Sequence, residues 1–188
     1  MKTLLISLVM LVFALSLIPN SLSRKYSSKL SNLLLNDKFD EFYELIDSKK
    51  IKLLIPAYNR EYLLLNSYIL KKNEEKVKES YNNIFNMKLS KKQERVIYLE
   101  AFNYYCNSSD KEMIDKIYNH IQTFDEEEIK KDNKRVYDIC VLKQANHIEE
   151  MEEEYSQTGN KSIAMMLYLQ YRNINDEENI KKYEEIIK

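Results

Sequence analysis

One glycine, Gly159, and two prolines, Pro19 and Pro56, are all that 188 residues hold of the two residue types that most often punctuate β structure. Tight hairpin turns and phosphate-cradling loops lean on glycine for a positive φ. So poor a supply argues against a β-sandwich, a dinucleotide-binding fold and a P-loop enzyme. An excess of charge of one sign is lacking too. The net charge is −1, which gives the chain no global attraction to nucleic acid. The two cysteines, Cys106 and Cys140, are 34 residues apart and show no metal-ligand or CxxC spacing. They read as small core residues.

What is present favours helix. Lys, Glu, Leu and Ile abound, as helices prefer, and 44% hydrophobic with 31% mixed charge suits a folded domain rather than a disordered chain. The length implies one folded domain after an N-terminal segment, large enough to bury a core without metals or disulfides.

That N-terminal segment is distinct. Leu4 to Ile18 carries no charge. At about 1.5 Å per helical residue, residues 3–22 span the roughly 30 Å hydrocarbon layer. Residues 1–25 are therefore expected to be a single-pass membrane anchor. The alternative is a signal peptide cleaved near Ser21-Leu22-Ser23, which would make the remainder a secreted protein. Arg24, Lys25 and Lys29 follow the run before any acid, so the positive-inside rule leans to a cytoplasmic domain.

From residue 26 on, apolar positions recur with helical period, broken by short polar stretches. The pattern predicts helices at 27–35, 38–48, 57–71, 74–87, 91–106, 110–123, 128–143, 147–156, 161–173 and 176–187. Pro56 fits a first helical turn, and Ser90, Asp110 and Asp176 fit N-caps. A shift of 37 residues aligns Tyr62, Leu99 and Val136; Leu65, Phe102 and Ile139; and Asn66, Asn103 and Cys140. The same shift aligns Val77, Ile114 and Met151, then Tyr81, Tyr118 and Tyr155. A hairpin at Leu30–Ile46 precedes these units and one at Ile163–Ile187 follows.

Helix-turn-helix units with Asn or Asp at the turn and a Val/Ile-x3-Tyr second helix resemble tetratricopeptide repeats over residues 27–187. The resemblance implies an all-α fold: a right-handed solenoid of about five antiparallel helical hairpins, preceded by one N-terminal apolar helix, with residues 26–188 as the repeat domain. The chain departs from the family pattern at its small residues. Asn66, Asn103 and Cys140 stand at the Gly/Ala place of the first helix, Val77, Ile114 and Met151 at the alanine place of the second, and no proline closes each unit.

Groupings that suggest chemistry have plainer explanations. Asp125–Glu128 and Glu149–Glu154 are consecutive runs, which read as solvated helix faces. His120 and His147 are given structural or surface roles. The fifteen tyrosines include Tyr81, Tyr118 and Tyr155 on the repeat's apolar stripe, which makes them core rather than base-stacking platforms. One polarity stands out: residues 49–95 balance at +7 and residues 110–155 at −7. Near anionic lipid each basic residue contributes on the order of 1 kcal/mol.

The expected function is a membrane-tethered protein-interaction scaffold without catalytic activity or cofactor. It would take a partner peptide or helix, not nucleic acid, on its concave face. In the family resembled, partners touch the exposed face of each first helix, which here implies Arg60, Leu63 and Ser67; Glu100, Tyr104 and Asn107; and Lys134 and Tyr137. The alternative is an assembly protein that self-associates, because Ile180, Tyr183, Ile186 and Ile187 would leave an apolar edge at the C-terminus.

Overall fold

The described residues of the computed structural model are 21–106, 108 and 110–188. They form helices and no strand, so the fold is all-α. The uncharged run and nearly all of the expected membrane segment lie outside the described residues. Among the described residues no helix is long and apolar enough to cross a membrane. The chain divides into two compact units, one ending at Lys88 and one comprising Leu89–Lys188.

In the first unit, α1 covers 21–35 and is followed by α2 (Phe39–Asp47), α3 (Lys49–Leu54), α4 (Ala57–Leu70) and α5 (Glu74–Phe85). Leu30, Leu33 and Leu34 fall at helical spacing on one face of α1. They bury against Phe42 and Ile46 of α2 and against Ile51 and Ile55, with Leu63 and Leu64 of α4 packed on the same core. The sequence pattern leaves 49–56 as a break, yet α3 forms there. The Ser48 hydroxyl donates to the Leu45 carbonyl at 2.7 Å and accepts from the Ile51 amide at 3.4 Å, ending one helix and capping the next. Pro56 sits at the N-cap of α4 rather than inside its first turn, and its carbonyl accepts from the Arg60 amide at 3.1 Å. Helices α4 and α5 then pair as a hairpin.

In the second unit, α6 (Lys91–Tyr105) pairs with α7 (Lys111–Ile121), and α7 packs on α8 (Glu127–Val136). A π-helical turn, Tyr137–Val141, follows. Then come α9 (Ile148–Thr158), α10 (Lys161–Asn173) and α11 (Glu177–Ile187), with α10 against α9, α11 and the π turn. One core joins Ile139, Met151, Ile163, Ala164, Leu167, Tyr171 and Tyr183. The C-terminal edge expected to stand open is closed: Tyr183 is fully buried, and Ile180, Ile186 and Ile187 pack against that core.

The single helix expected over 128–143 is interrupted. From Val136 onward the bonding widens, so that the Leu142 amide reaches back to the Tyr137 carbonyl at 3.0 Å and that of Gln144 to Asp138 at 2.9 Å. The wider turn puts three consecutive residues, Tyr137, Asp138 and Ile139, in the interior. A regular α-helix with a single narrow buried face spreads successive side chains by about 100°, too far for all three to share it.

The 37-residue spacing recurs in part: the first helices of the hairpins, α4, α6 and α8, start 34 and 36 residues apart, and only the second helices keep it. Helices α5, α7 and α9 begin at Glu74, Lys111 and Ile148, with 37 residues between successive starts. Leu65, Phe102 and Ile139 are buried, as are Val77, Ile114 and Met151. The tyrosine series diverges, since Tyr81 is fully buried while Tyr118 and Tyr155 are half-buried. Ser90, Asp110 and Asp176 cap α6, α7 and α11 through their side chains, Ser90 in a reciprocal box with Gln93.

Glycine scarcity leaves a mark on the turns. Gly159 ends α9 in the left-handed region at φ 60°, but Asp37, Lys72, Lys143 and Asn175 adopt the same conformation without being glycine. At Lys72 the amide bonds to the Ile69 carbonyl at 3.0 Å and the next amide, of Asn73, to Tyr68 at 2.9 Å, the paired bonding of a Schellman turn. The turns at Asp37 and Asn175 repeat it. Left-handed backbone costs an L-residue about 1 kcal/mol that glycine does not incur, partly offset by glycine's looser unfolded chain. Lys72→Gly is therefore expected to stabilise the fold by about 0.5 kcal/mol, read as a raised urea midpoint at constant m-value.

Candidate functional site

The π turn shapes a concavity of the second unit. A cleft of about 360 Å³ opens among the end of α6, the start of α7, the π turn and α10. Ile114, Ile139, Val141 and Leu169 supply its apolar surface, Cys106 and Cys140 its thiols, and Lys111, Lys143 and Asn173 polar groups at its margin. π turns inside α-helices are frequent at functional sites because they re-aim side chains, and here the turn presents Cys140 and Val141.

Three sets of bonds hold that turn. The Asn173 side-chain amide donates to the carbonyls of Ile139 and Gln144, both at 3.0 Å. The Asp138 carboxylate, nearly inaccessible, accepts from Lys134 Nζ at 2.6 Å and lies 3.0 Å from His147 Nε2, with the Asn146 amide at 3.4 Å. Burial alone would raise the Asp138 pKa; the bonds from Lys134, His147 and Asn146 prevail and hold it below the usual carboxylate range. Gln170, fully buried, accepts the His147 backbone N–H at 2.9 Å. Tyr137 donates to Asp115 and stacks on Tyr118 with ring centres 3.9 Å apart. Asp115 also holds Lys111 at 2.8 Å, while Lys143, like Lys111, is exposed at the margin.

Cys106 and Cys140 are half-buried in the cleft wall, and Cys140 also packs against the second unit's core. Burial, with a smaller contribution from Cys140, pushes the Cys106 thiol up to about 12, and burial raises Cys140 as well. The thiolate is the reactive form. Alkylation of Cys106 by iodoacetamide near neutral pH is expected to run at least about a hundredfold slower in the native chain than in urea. Mass spectrometry of the labelled peptides reads both rates, and equal rates would place the thiol in an open environment.

The positions implied by the repeat resemblance fall in varied surroundings. Arg60 is half-buried, its guanidinium donating to the carbonyls of Lys52 and Ile55 at 2.8 and 3.0 Å, so it ties α4 to α3. Leu63 packs against the first unit's core. Ser67 is fully buried, its hydroxyl donating to the Leu64 carbonyl at 2.6 Å and sharing a hydrogen bond with Tyr43 at 3.1 Å. Glu100 and Tyr104 are half-buried on α6, with the Tyr104 ring edge-on to Tyr105 at 5.0 Å. Lys134 is exposed and bonded to Asp138, whereas Tyr137 is buried. Asn107 lies outside the described residues. None of the others lines the cleft; its α6 contribution comes from their neighbours Tyr105 and Cys106.

The histidines have structural partners. His120 stacks on Tyr98 with ring centres 3.8 Å apart and contacts Glu94 at 2.9 Å, and His147 closes on Asp138. The acidic run Glu149–Glu154 is less solvated than its composition suggests. Glu150 pairs with Lys131 and Glu154 with Arg135, at 2.7 and 2.8 Å. Glu152 turns inward to accept from the hydroxyls of Tyr171 and Tyr183. Its signal was present: Glu152 stands four residues after Ile148 and three before Tyr155, on the apolar stripe of α9. Among the described residues no three His, Cys, Asp or Glu side chains gather as a metal ion would need.

Set beside known proteins, the chain matches no family model, no curated protein and no solved structure. What the fold itself defines is an all-α protein of paired helices with a cleft at a π turn.

Proposed function

We propose that the chain is a membrane-tethered protein-interaction module without catalytic activity. Its hairpins form a divergent, right-handed tetratricopeptide-like array that takes an extended or helical segment of a partner protein. The observation that carries this reading is the cleft of the second unit, with an apolar surface of Ile114, Ile139, Val141 and Leu169 and an exposed lysine, Lys143, at its rim. Clefts of about this volume that combine apolar surface with placed polar groups are a usual form of binding site. This one suits an aliphatic or aromatic side chain followed by a carboxylate. The 37-residue spacing of α5, α7 and α9 supports the repeat assignment. On α6 and α8 the side chains that still reach solvent at the family's contact positions are Glu100, Tyr104 and Lys134.

The tether rests on the uncharged run Leu4–Ile18, and the helical units are assigned to the cytoplasmic side on the charges that follow it. Peptide selection from a displayed random library against the full chain tests the binding reading. Enrichment of apolar-acidic motifs, abolished by Leu169→Arg and Lys143→Glu, is the expected result. Selection of no motif, or of one indifferent to both changes, would count against it. Protease protection of full-length protein in cytosol-out membrane vesicles reads tether and topology separately: helical units that resist digestion until the vesicles are opened contradict the cytoplasmic assignment.

A further inference from the structure

The first unit carries a surface that the partner-binding reading does not use. On the six-residue α3, Ile51 faces the core and is fully buried, while Leu53, two residues on, is 88% exposed. Lys49 and Lys50 precede Leu53 by four and three residues, which places both beside it on the outward side of the helix. Lys50 reaches across to α1, its Nζ 4.7 Å from the centre of the Tyr26 ring. Flanking Tyr26 on α1 are Lys25 and Lys29, both exposed, a like-charged pair one helical turn apart that repels in the isolated fold. The Tyr26 phenol registers this field: its bond with Lys50 lowers its pKa, Lys25 and Lys29 add to the effect, and burial opposes it. Of the acids nearby, Asp47 is paired with Lys52 and Glu41 with Lys38, and Glu41 and Glu44 share a groove with Lys29.

We propose that this corner of α1 and α3, formed by Lys25, Lys29, Lys49, Lys50 and Leu53, is a docking surface for an anionic lipid bilayer. Basic side chains together with an exposed apolar one are what an interfacial element presents, the cations meeting headgroups while the leucine enters the acyl boundary. The uncharged run Leu4–Ile18 ends six residues before Arg24, so a chain anchored there delivers α1, and with it α3, to the membrane surface. The docking deepens the tether reading and rests on it for that delivery; the chemistry of the corner is its own. A nucleic-acid surface would match the lysines but gives no role to the exposed leucine beside Lys49 and Lys50.

The chain holds no tryptophan, so Leu53→Trp creates a single reporter at a site exposed enough to accept the ring. Full-length Leu53→Trp is added to phosphatidylcholine vesicles with and without phosphatidylserine. The expected result is a blue-shifted emission, quenched by brominated acyl chains, only where phosphatidylserine is present. The same reporter at Ile174 (Ile174→Trp), 53% exposed in the second unit, is expected not to move. Lys25→Glu, Lys29→Glu and Lys50→Glu together should lower the docking equilibrium of Leu53→Trp about a hundredfold, with circular dichroism confirming that helix content is kept. An emission that ignores phosphatidylserine overturns the proposal. So does a shift produced by duplex DNA, or by raising protein concentration without lipid, since either names a different occupant. Sedimentation with neutral vesicles reports the tether independently: a chain that fails to sediment there yet shifts its Leu53→Trp emission with phosphatidylserine has lost the tether and kept the docking surface.

Discussion

Phe102→Ala is expected to lower the free energy of unfolding by about 3–5 kcal/mol, while Asn103→Ala, one residue further along α6, changes it by no more than about 0.5 kcal/mol. Phe102 is 1% exposed and holds the position that Leu65 and Ile139 hold in the units 37 residues before and after it. Its ring meets Tyr118 of the paired helix with centres 6.4 Å apart. Truncating it removes both the buried area and the contacts that fill the space between α6 and α7, and helices joined by a short turn cannot close the gap fully. Asn103 points to solvent. Urea unfolding at unchanged m-value measures both variants. A loss below about 1 kcal/mol for Phe102→Ala would remove this position from the core, and with it the burial register on which the repeat assignment stands.

Glu152→Ala is expected to cost about 2–4 kcal/mol, because it strands the phenol hydroxyls of Tyr171 and Tyr183, which both donate to this carboxylate. Tyr183 is fully buried, and the two rings stack with centres 5.8 Å apart, so neither hydroxyl can swing far to a new acceptor. Burial pushes the Glu152 carboxyl up, but the bonds from Tyr183 and Tyr171 and the charge of Lys182 outweigh it and hold its pKa below the usual value. The sign of the pH dependence follows. With the folded pKa below an unfolded value of about 4.3, the charged form is favoured by folding. The contribution is fully present above about pH 4.3 and is lost as pH falls through the lowered folded value. Glu152→Gln keeps an acceptor and removes the titration. It should lose less than the alanine variant at neutral pH and show a flatter decline in stability below about pH 4.3. An unchanged acid slope would mean that the carboxylate is not coupled to folding.

The helices were legible where side chains act locally. Ser90, Asp110 and Asp176 announce N-termini because a short polar side chain satisfies the first amides wherever it stands, and all three do so. Apolar spacing likewise marked Leu65, Phe102, Val77 and Ile114 as interior. The π turn was not legible, because its cause is tertiary. Asp138 is buried only because Lys134, Asn146 and His147 converge on it, and His147 comes from the start of the next helix. The cleft was hidden for the same reason, being assembled from α6, α7, the π turn and α10. The cysteines read as core because a thiol has the size and polarity of a core residue, and only the assembled wall shows them half-buried. Among the contact positions that the repeat resemblance implies, Ser67 and Tyr137 turn inward to satisfy Tyr43 and Asp115.

The claim that the second unit's cleft receives a partner segment is tested most directly by photo-cross-linking from its wall. A benzophenone amino acid in place of Val141, in the otherwise complete chain, is irradiated in the cells that make the protein. The account predicts one discrete adduct, mapping to a partner segment with an apolar residue beside an acid and lost when Leu169→Arg or Lys143→Glu is added. No adduct, or an adduct that survives both changes and also forms from the exposed Leu35 position, would contradict it.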